Sequence, residues 1–270
     1  MAFRVGCLDY TFSYRPFPQR FARGGELFFA GMSKLHLGSY HRYLDSALAL
    51  IASLGIKGVQ VMCTHPRQMP HAPQQLARRA AGLGLAITSL GAYHNIMGQT
   101  DEFVQAIDYA ADADVAIVCT HSGTGSWSAL VSSLQQLCDR AASRGVAVAL
   151  ENSPLHLVKT TEDLRRAAVA VKKLRINLDP ANLNCAGSDP VAAPLVLGRK
   201  IVHTHAKDSV RNTLQFPELG KGDVPFAAYL RNLKRSGYRG YLVIEHEGPS
   251  HPLDAVRKGK VFLEQLMGGR

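Results

Sequence analysis

Eight short runs rich in β-branched and apolar residues recur along this chain: FRVGCLDY (3–10), GVQVMC (58–63), AITSLGAY (86–93), VAIVCTH (115–121), VAVALEN (146–152), RINLDPANL (175–183), IVHTHAKD (201–208) and YLVIEHE (241–247). Between most of them lie stretches whose apolar residues repeat at helical spacing, such as YLDSALALIASLG, PQQLARRAAGLG, TDEFVQAIDYAADA and SALVSSLQQLCDRAASRG. Strand and helix therefore alternate throughout, which argues for an α/β fold with a parallel sheet. Eight βα units in about 250 residues have the dimensions of a (β/α)8 TIM barrel, here a single domain over residues 1–270. A doubly wound open sheet is the alternative, but no GxGxxG follows the first strand.

Glycines in SLGIKG, GLGLAI, SRGVAV and SGYRGYLV read as C-caps that mark the ends of helices just before the next strand. The segment EDLRRAAVAVKKLR (162–175) reads as one surface helix, with acids in front and bases behind as the helix dipole favours. The helix around DPVAAPLVLG is short and interrupted by proline. One stretch fits the repeat poorly. Residues 11–38 form a long loop after the first strand, rich in Arg, Gly and aromatics, and in a barrel it would hang over the C-terminal face. It reads as a lid or partner-contact loop, with Arg15 and Arg23 as candidates to clamp a phosphate or carboxylate of a substrate.

Composition narrows the class. A hydrophobic fraction of 46% is that of an ordinary soluble globule. No apolar run approaches the roughly 18 residues of a membrane-spanning helix, and the opening MAFRVGCLDYTF turns polar too early for a secretory signal. Five widely spaced cysteines without a CxxC pair read as reduced thiols of a cytoplasmic protein. The net charge of +10 attracts anions, which leaves nucleic acid, a phosphorylated metabolite or plain solvated helix faces open.

The ionisable chemistry collects at strand ends. The fifth run ends in Glu151, the sixth in Asp179, the seventh in His205 and the eighth in Glu245, all at the expected C-terminal mouth of the barrel. Parity in VAVALE places Val146, Val148 and Leu150 on one face and Ala147, Ala149 and Glu151 on the other. Small alanines suit a crowded barrel interior, so Glu151 is expected to point inward. Three carboxylates and an imidazole brought together repel one another and are costly to desolvate, and one divalent cation removes that cost. The oxygen-rich set suits Mn²⁺, Mg²⁺ or Co²⁺ and tolerates Zn²⁺ or Fe²⁺.

The segments VALEN, NLDPANL, HTHAKD and VIEHE resemble the metal-binding motifs of the xylose isomerase-like sugar isomerase/epimerase superfamily, which includes ketose 3-epimerases, inosose dehydratases and hydroxypyruvate isomerases. The resemblance implies one divalent metal held by Glu151, Asp179, His205 and Glu245. It also implies a substrate contact at Arg211, six residues after the metal histidine, and at Asn182, where ketose 3-epimerases commonly carry a histidine. GKGDVPF (220–226) resembles the family's glycine-rich turn before the last helix, and its plain alternative is a loop feeding that helix with Asp223 near the cap. Relatives of this type are often homo-oligomers, dimers or tetramers.

Such a site removes a proton beside a carbonyl of a sugar or keto-polyol through a metal-stabilised enediolate, with Glu151 and Glu245 as the acid–base pair. Returning the proton to the other face gives epimerisation, to the neighbouring carbon isomerisation, and loss of a β-hydroxyl dehydration. His94, His121, Lys207 and Asp208 are further candidate substrate contacts, Lys207 and Asp208 with a structural ion pair as the alternative. His203 is expected to pack below the metal, His246 toward the helices, and Glu247 at the rim. Two other functions compete. An abasic-site endonuclease would use the positive charge on DNA phosphates, but Asn182 stands where it needs a histidine and no Asp-x-His follows His205. A non-catalytic sugar-binding barrel is the other.

Overall fold

The computed structural model describes residues 3–9, 37–63, 65–98 and 100–268, so the expectations for the loop at 11–38, including Arg15 and Arg23, fall outside the described residues up to position 36. Eight parallel strands close into a barrel in chain order: β1 (Arg4–Leu8), β2 (Gly58–Met62), β3 (Ala86–Gly91), β4 (Ile117–His121), β5 (Ala147–Glu151), β6 (Arg175–Leu178), β7 (Ile201–Ala206) and β8 (Tyr241–Ile244). Closure comes from β1 pairing with β8, with Cys7 opposite Ile244. Helices α1 (Leu37–Ser53), α2 (Pro73–Gly82), α3 (Thr100–Asp112), α4 (Trp127–Ser143), α5 (Thr161–Ala170), α6 (Pro180–Cys185), α7 (Ala193–Leu197), α8 (Phe226–Arg235) and α9 (Pro252–Leu266) lie between and after the strands. This is the (β/α)8 TIM barrel expected from the alternation.

Strand parity separates two buried layers. Val59, Val61, Val148, Leu150, Ile176 and Leu178 belong to the hydrophobic core formed with the helices. Gln60, Cys119, Ala149, Glu151 and Asn177 are equally buried but alternate with that set, so they fill the barrel interior. The glycine stops hold as well: Gly84 and Gly145 adopt φ of 68° and 73°, the left-handed conformation a helix C-cap uses.

Several strands are shorter than the runs that predict them, and three further differences bear on the site and its surroundings. RINLDPANL is a strand only to Leu178. Asp179 then caps α6, its carboxylate accepting from Asn182 N, and Pro180 takes the first helical position, where its missing N–H costs nothing. The segment 162–175 is not one helix. The chain turns extended at Val171, with φ −119° and ψ 97°, and buries Val171 and Leu174 before β6 begins. Lys172 and Lys173 thus lie beyond the helix, and only its acidic first turn serves the dipole. Finally, Asp223 does not cap α8, whose N-cap is Pro225; its carboxylate accepts from Arg211 N at 2.9 Å.

Among the described residues no helix is long and apolar enough to cross a membrane. All five cysteines are free thiols.

Candidate metal centre

Four elements deliver the central side chains. Glu151 is the last residue of β5, Asp179 the N-cap that follows β6, and His205 the fifth residue of β7. Glu245 follows β8 directly, its N–H bonded to Ala206 O. The structure brings these four together, with one ligand atom of each within 4.8 Å of all the others. His205 Nδ1 is the hub, 3.2 Å from Glu151 Oε1, 3.7 Å from Asp179 Oδ2 and 3.1 Å from Glu245 Oε2. Capping explains the aim of Asp179: Oδ1 is spent on Asn182 N at 2.9 Å, which turns Oδ2 toward the hub.

The electrostatics call for positive charge. Burial alone would drive the carboxyls up, yet His205 and His121 hold Glu151 well below the usual carboxylate range, and Lys207 and His205 bring Glu245 down to about 2. Burial likewise opposes an imidazolium at His205, but Glu151 and Glu245 keep it well above the usual histidine range. Lys207 Nζ stands 3.1 Å from Asp179 Oδ2, 3.0 Å from Glu245 Oε2 and 3.1 Å from Glu247 Oε2, with the Phe216 ring 5.0 Å away. Even so, buried Asp179 Oδ2 and Glu245 Oε2 receive no hydrogen bond of good geometry. Two buried carboxylate oxygens that share one ammonium and face one imidazole nitrogen form a donor set that fits a divalent cation.

Other expected residues fall into two groups. His121 Nε2 is 3.6 Å from Glu151 Oε1, and Asn182 Nδ2 donates to Glu151 Oε1 at 3.4 Å and to Asn152 O at 3.0 Å, so both border the cluster with Lys207. The guanidinium of Arg211 is held elsewhere, donating to Asn184 Oδ1 and Gly187 O beyond the end of α6. His94 Nδ1 and His65 Nδ1 lie 3.4 and 3.5 Å from Glu102 Oε2 in the first turn of α3. His203 is buried among Ser89, Asn177 and Thr88, inside the barrel as its parity required.

Several residues that shape the site escaped the sequence reading. Tyr93 OH donates to Glu151 Oε2 at 2.9 Å, and Asn177 Nδ2 donates to the same oxygen at 2.7 Å. Gln60 bridges Tyr93 and His205. A polar residue amid the valines of GVQVM, on the parity opposite to them, was the signal for Gln60. Asp208, two residues past β7 and expected from the sequence as a substrate contact or ion-pair member, instead accepts from the N–H groups of Ser209, Gly220, Gly222 and Val224 and so folds the glycine-rich turn against the barrel mouth. A side chain at Gly222 would collide with that carboxylate.

Comparison with known proteins places the chain. The model of the Xylose isomerase-like TIM barrel family matches residues 48–266, and the chain belongs to that family. It is similar to the rhizopine catabolism protein MocC of Rhizobium meliloti, 30% identical over 161 residues, 52% of this chain and 50% of the relative. It is also similar to inosose dehydratase of Lacticaseibacillus casei, 24% identical over 170 residues, 54% of this chain and 57% of the relative. The chain thus spans about half the length of these curated relatives. Among solved structures, the fold is shared with a D-allulose 3-epimerase from Methylomonas sp. in complex with D-allulose, at TM-score 0.73, 16% identity and coverage of 98% and 97%. It is shared too with an IOLI protein that binds a zinc atom, at TM-score 0.71, 19% identity and coverage of 86% and 96%.

Proposed function

We propose that this protein is a divalent-metal-dependent isomerase or epimerase acting on a sugar or keto-polyol. The observation that carries the reading is the convergence of Glu151, Asp179, His205 and Glu245, one ligand atom of each within 4.8 Å of all the others. Those four residues would hold the ion, which when bound supplies Lewis-acid polarisation of a substrate carbonyl and its neighbouring hydroxyl. The donor set accommodates Mn, Mg, Co, Zn or Fe.

Glu151 and Glu245 are the acid–base pair. Both carboxyls are held ionised by the cations around them, the form a general base needs. Tyr93 and Asn177 fix Glu151 Oε2, which leaves Oε1 facing the centre. Lys207, Asn182 and His121 border the cluster and are assigned to substrate hydroxyls, with His94 and Arg211 further out along the rim. The inosose dehydratase likeness favours an inosose as substrate, and in that case elimination of a β-hydroxyl competes with simple epimerisation. All five cysteines being free suits a reducing compartment such as the cytoplasm, and light scattering would test for the dimer or tetramer expected of relatives.

Solvent deuterium exchange tests the reading. Protein loaded with Mn²⁺ is incubated in D₂O with a panel of keto sugars and inososes, and NMR reads label at the carbon next to the carbonyl. Exchange into at least one compound, lost in Glu151→Gln, supports proton abstraction, and a dehydrated product identifies the elimination branch. Undiminished exchange in Glu151→Gln removes Glu151 from the chemistry.

A further inference from the structure

The hydrogen bonds around His205 have a direction that can be worked out from one end. Glu151 Oε2 belongs to a carboxylate and only accepts, so the Tyr93 hydroxyl, 2.9 Å away, must donate to it. The Tyr93 oxygen is then left to accept, and Gln60 Nε2 at 3.1 Å donates to it. With its amino group committed there, Gln60 turns its carbonyl Oε1 to His205 Nε2, 2.7 Å away. A carbonyl cannot donate, so Nε2 must carry the hydrogen. Asn177 Nδ2 offers the opposite polarity to the same nitrogen, but at 3.5 Å it cannot compete, being engaged with Glu151 Oε2 at 2.7 Å.

We propose that Gln60 is a positioning residue that holds a proton on His205 Nε2, so that Nδ1 is the nitrogen that gives up its proton and turns its lone pair to the divalent ion when the ion binds. The inference rests on the metal reading above and adds how the chain prepares its single nitrogen ligand. Gln60 is suited to this because it is fully buried on the interior face of β2, where no water competes for its carbonyl. The relay also ties the ligand His205 to the proposed base Glu151 through two neutral side chains, so the orientation of one depends on that of the other.

Two measurements test this. The first is long-range ¹H–¹⁵N NMR on zinc-loaded, ¹⁵N-histidine-labelled protein, assigned by His205→Gln. The expected spectrum shows His205 with a proton on Nε2, slow to exchange, and Nδ1 shifted by the metal. A proton on Nδ1 overturns the proposal. The second is zinc affinity by competition with a chromophoric chelator for wild type, Gln60→Leu, Gln60→Glu and Tyr93→Phe, each first shown to be folded by circular dichroism. Gln60→Leu is expected to weaken zinc about 10- to 100-fold. Gln60→Glu keeps an acceptor opposite Nε2 and is expected to restore affinity to within a few-fold of wild type. Tyr93→Phe frees the amide to turn and falls between. Equal affinity in Gln60→Leu and wild type overturns the positioning role while leaving the metal reading intact. A wild-type protein that takes up no zinc overturns both.

Discussion

Lys207 Nζ stands 3.1 Å from Asp179 Oδ2, and neither side chain has more than a few per cent of its surface in contact with solvent. The ammonium also meets Glu245 and Glu247, and these three acids raise it well above the usual lysine range although burial works against it. Lys207 therefore supplies part of the charge that a divalent ion would supply. Removing one partner of a buried ion pair typically costs about 3–5 kcal/mol, because the other is left uncompensated. Metal-free Lys207→Met is expected to be less stable than metal-free wild type by roughly 3 kcal/mol in urea unfolding. Saturating Mn²⁺ is expected to recover most of the difference. Equal stability of the two metal-free proteins would show that Lys207 is not a counterion here.

Asp208 makes a second prediction, this time about the loop. Its carboxylate gathers four backbone N–H groups, three of them from residues 220–224. Each buried donor left unmade costs about 1–3 kcal/mol, so Asp208→Ala is expected to lose several kcal/mol unless the turn opens to water. Hydrogen exchange separates the two. Faster exchange at Gly220, Gly222 and Val224 with β7 still protected is the expected pattern; unchanged protection there would remove Asp208 as the organiser of the turn.

Acid should weaken the fold through His156. Burial, and then charge on the neighbouring His121 ring, whose centroid is 4.6 Å away, push its imidazole down from 6.5 to about 3. Below pH 6.5 the unfolded chain takes up a proton that the folded protein refuses, so stability falls as pH drops from 6.5 toward 3. The slope from this group is at most about 1.4 kcal/mol per pH unit, and it vanishes above the unfolded value. Denaturant midpoints at a series of pH values should show a shallower acid loss in His156→Gln than in wild type. Parallel curves would mean that His156 is protonated in the folded state.

The strand ends were legible because each combines two independent signals, an apolar run and an ionisable residue at its C-terminal edge. Glu151, Asp179, His205 and Glu245 all emerged in that way. The relay through Tyr93 and Gln60 was not legible as a network, since it joins β2, the segment after β3, β5 and β7, and such pairings follow from barrel closure and strand stagger, not from spacing along the chain. In NLDPANL the apolar run carried the strand reading too far, although Asp–Pro is a strong helix start; here the cap also aims a candidate metal ligand, so one residue does both tasks. Val171 shows the reverse case, where burial in the core ended a helix that local propensity would have continued.

The most direct test of the metal centre is its stoichiometry. Elemental mass spectrometry on protein purified without chelator, alongside Asp179→Ala, reads both amount and identity of the ion. The expected result is about one Mn, Mg, Co, Zn or Fe per chain, lost in Asp179→Ala with the circular dichroism spectrum preserved. Two or three zinc ions per chain, or none in wild type even after reconstitution, would contradict a mononuclear centre at Glu151, Asp179, His205 and Glu245.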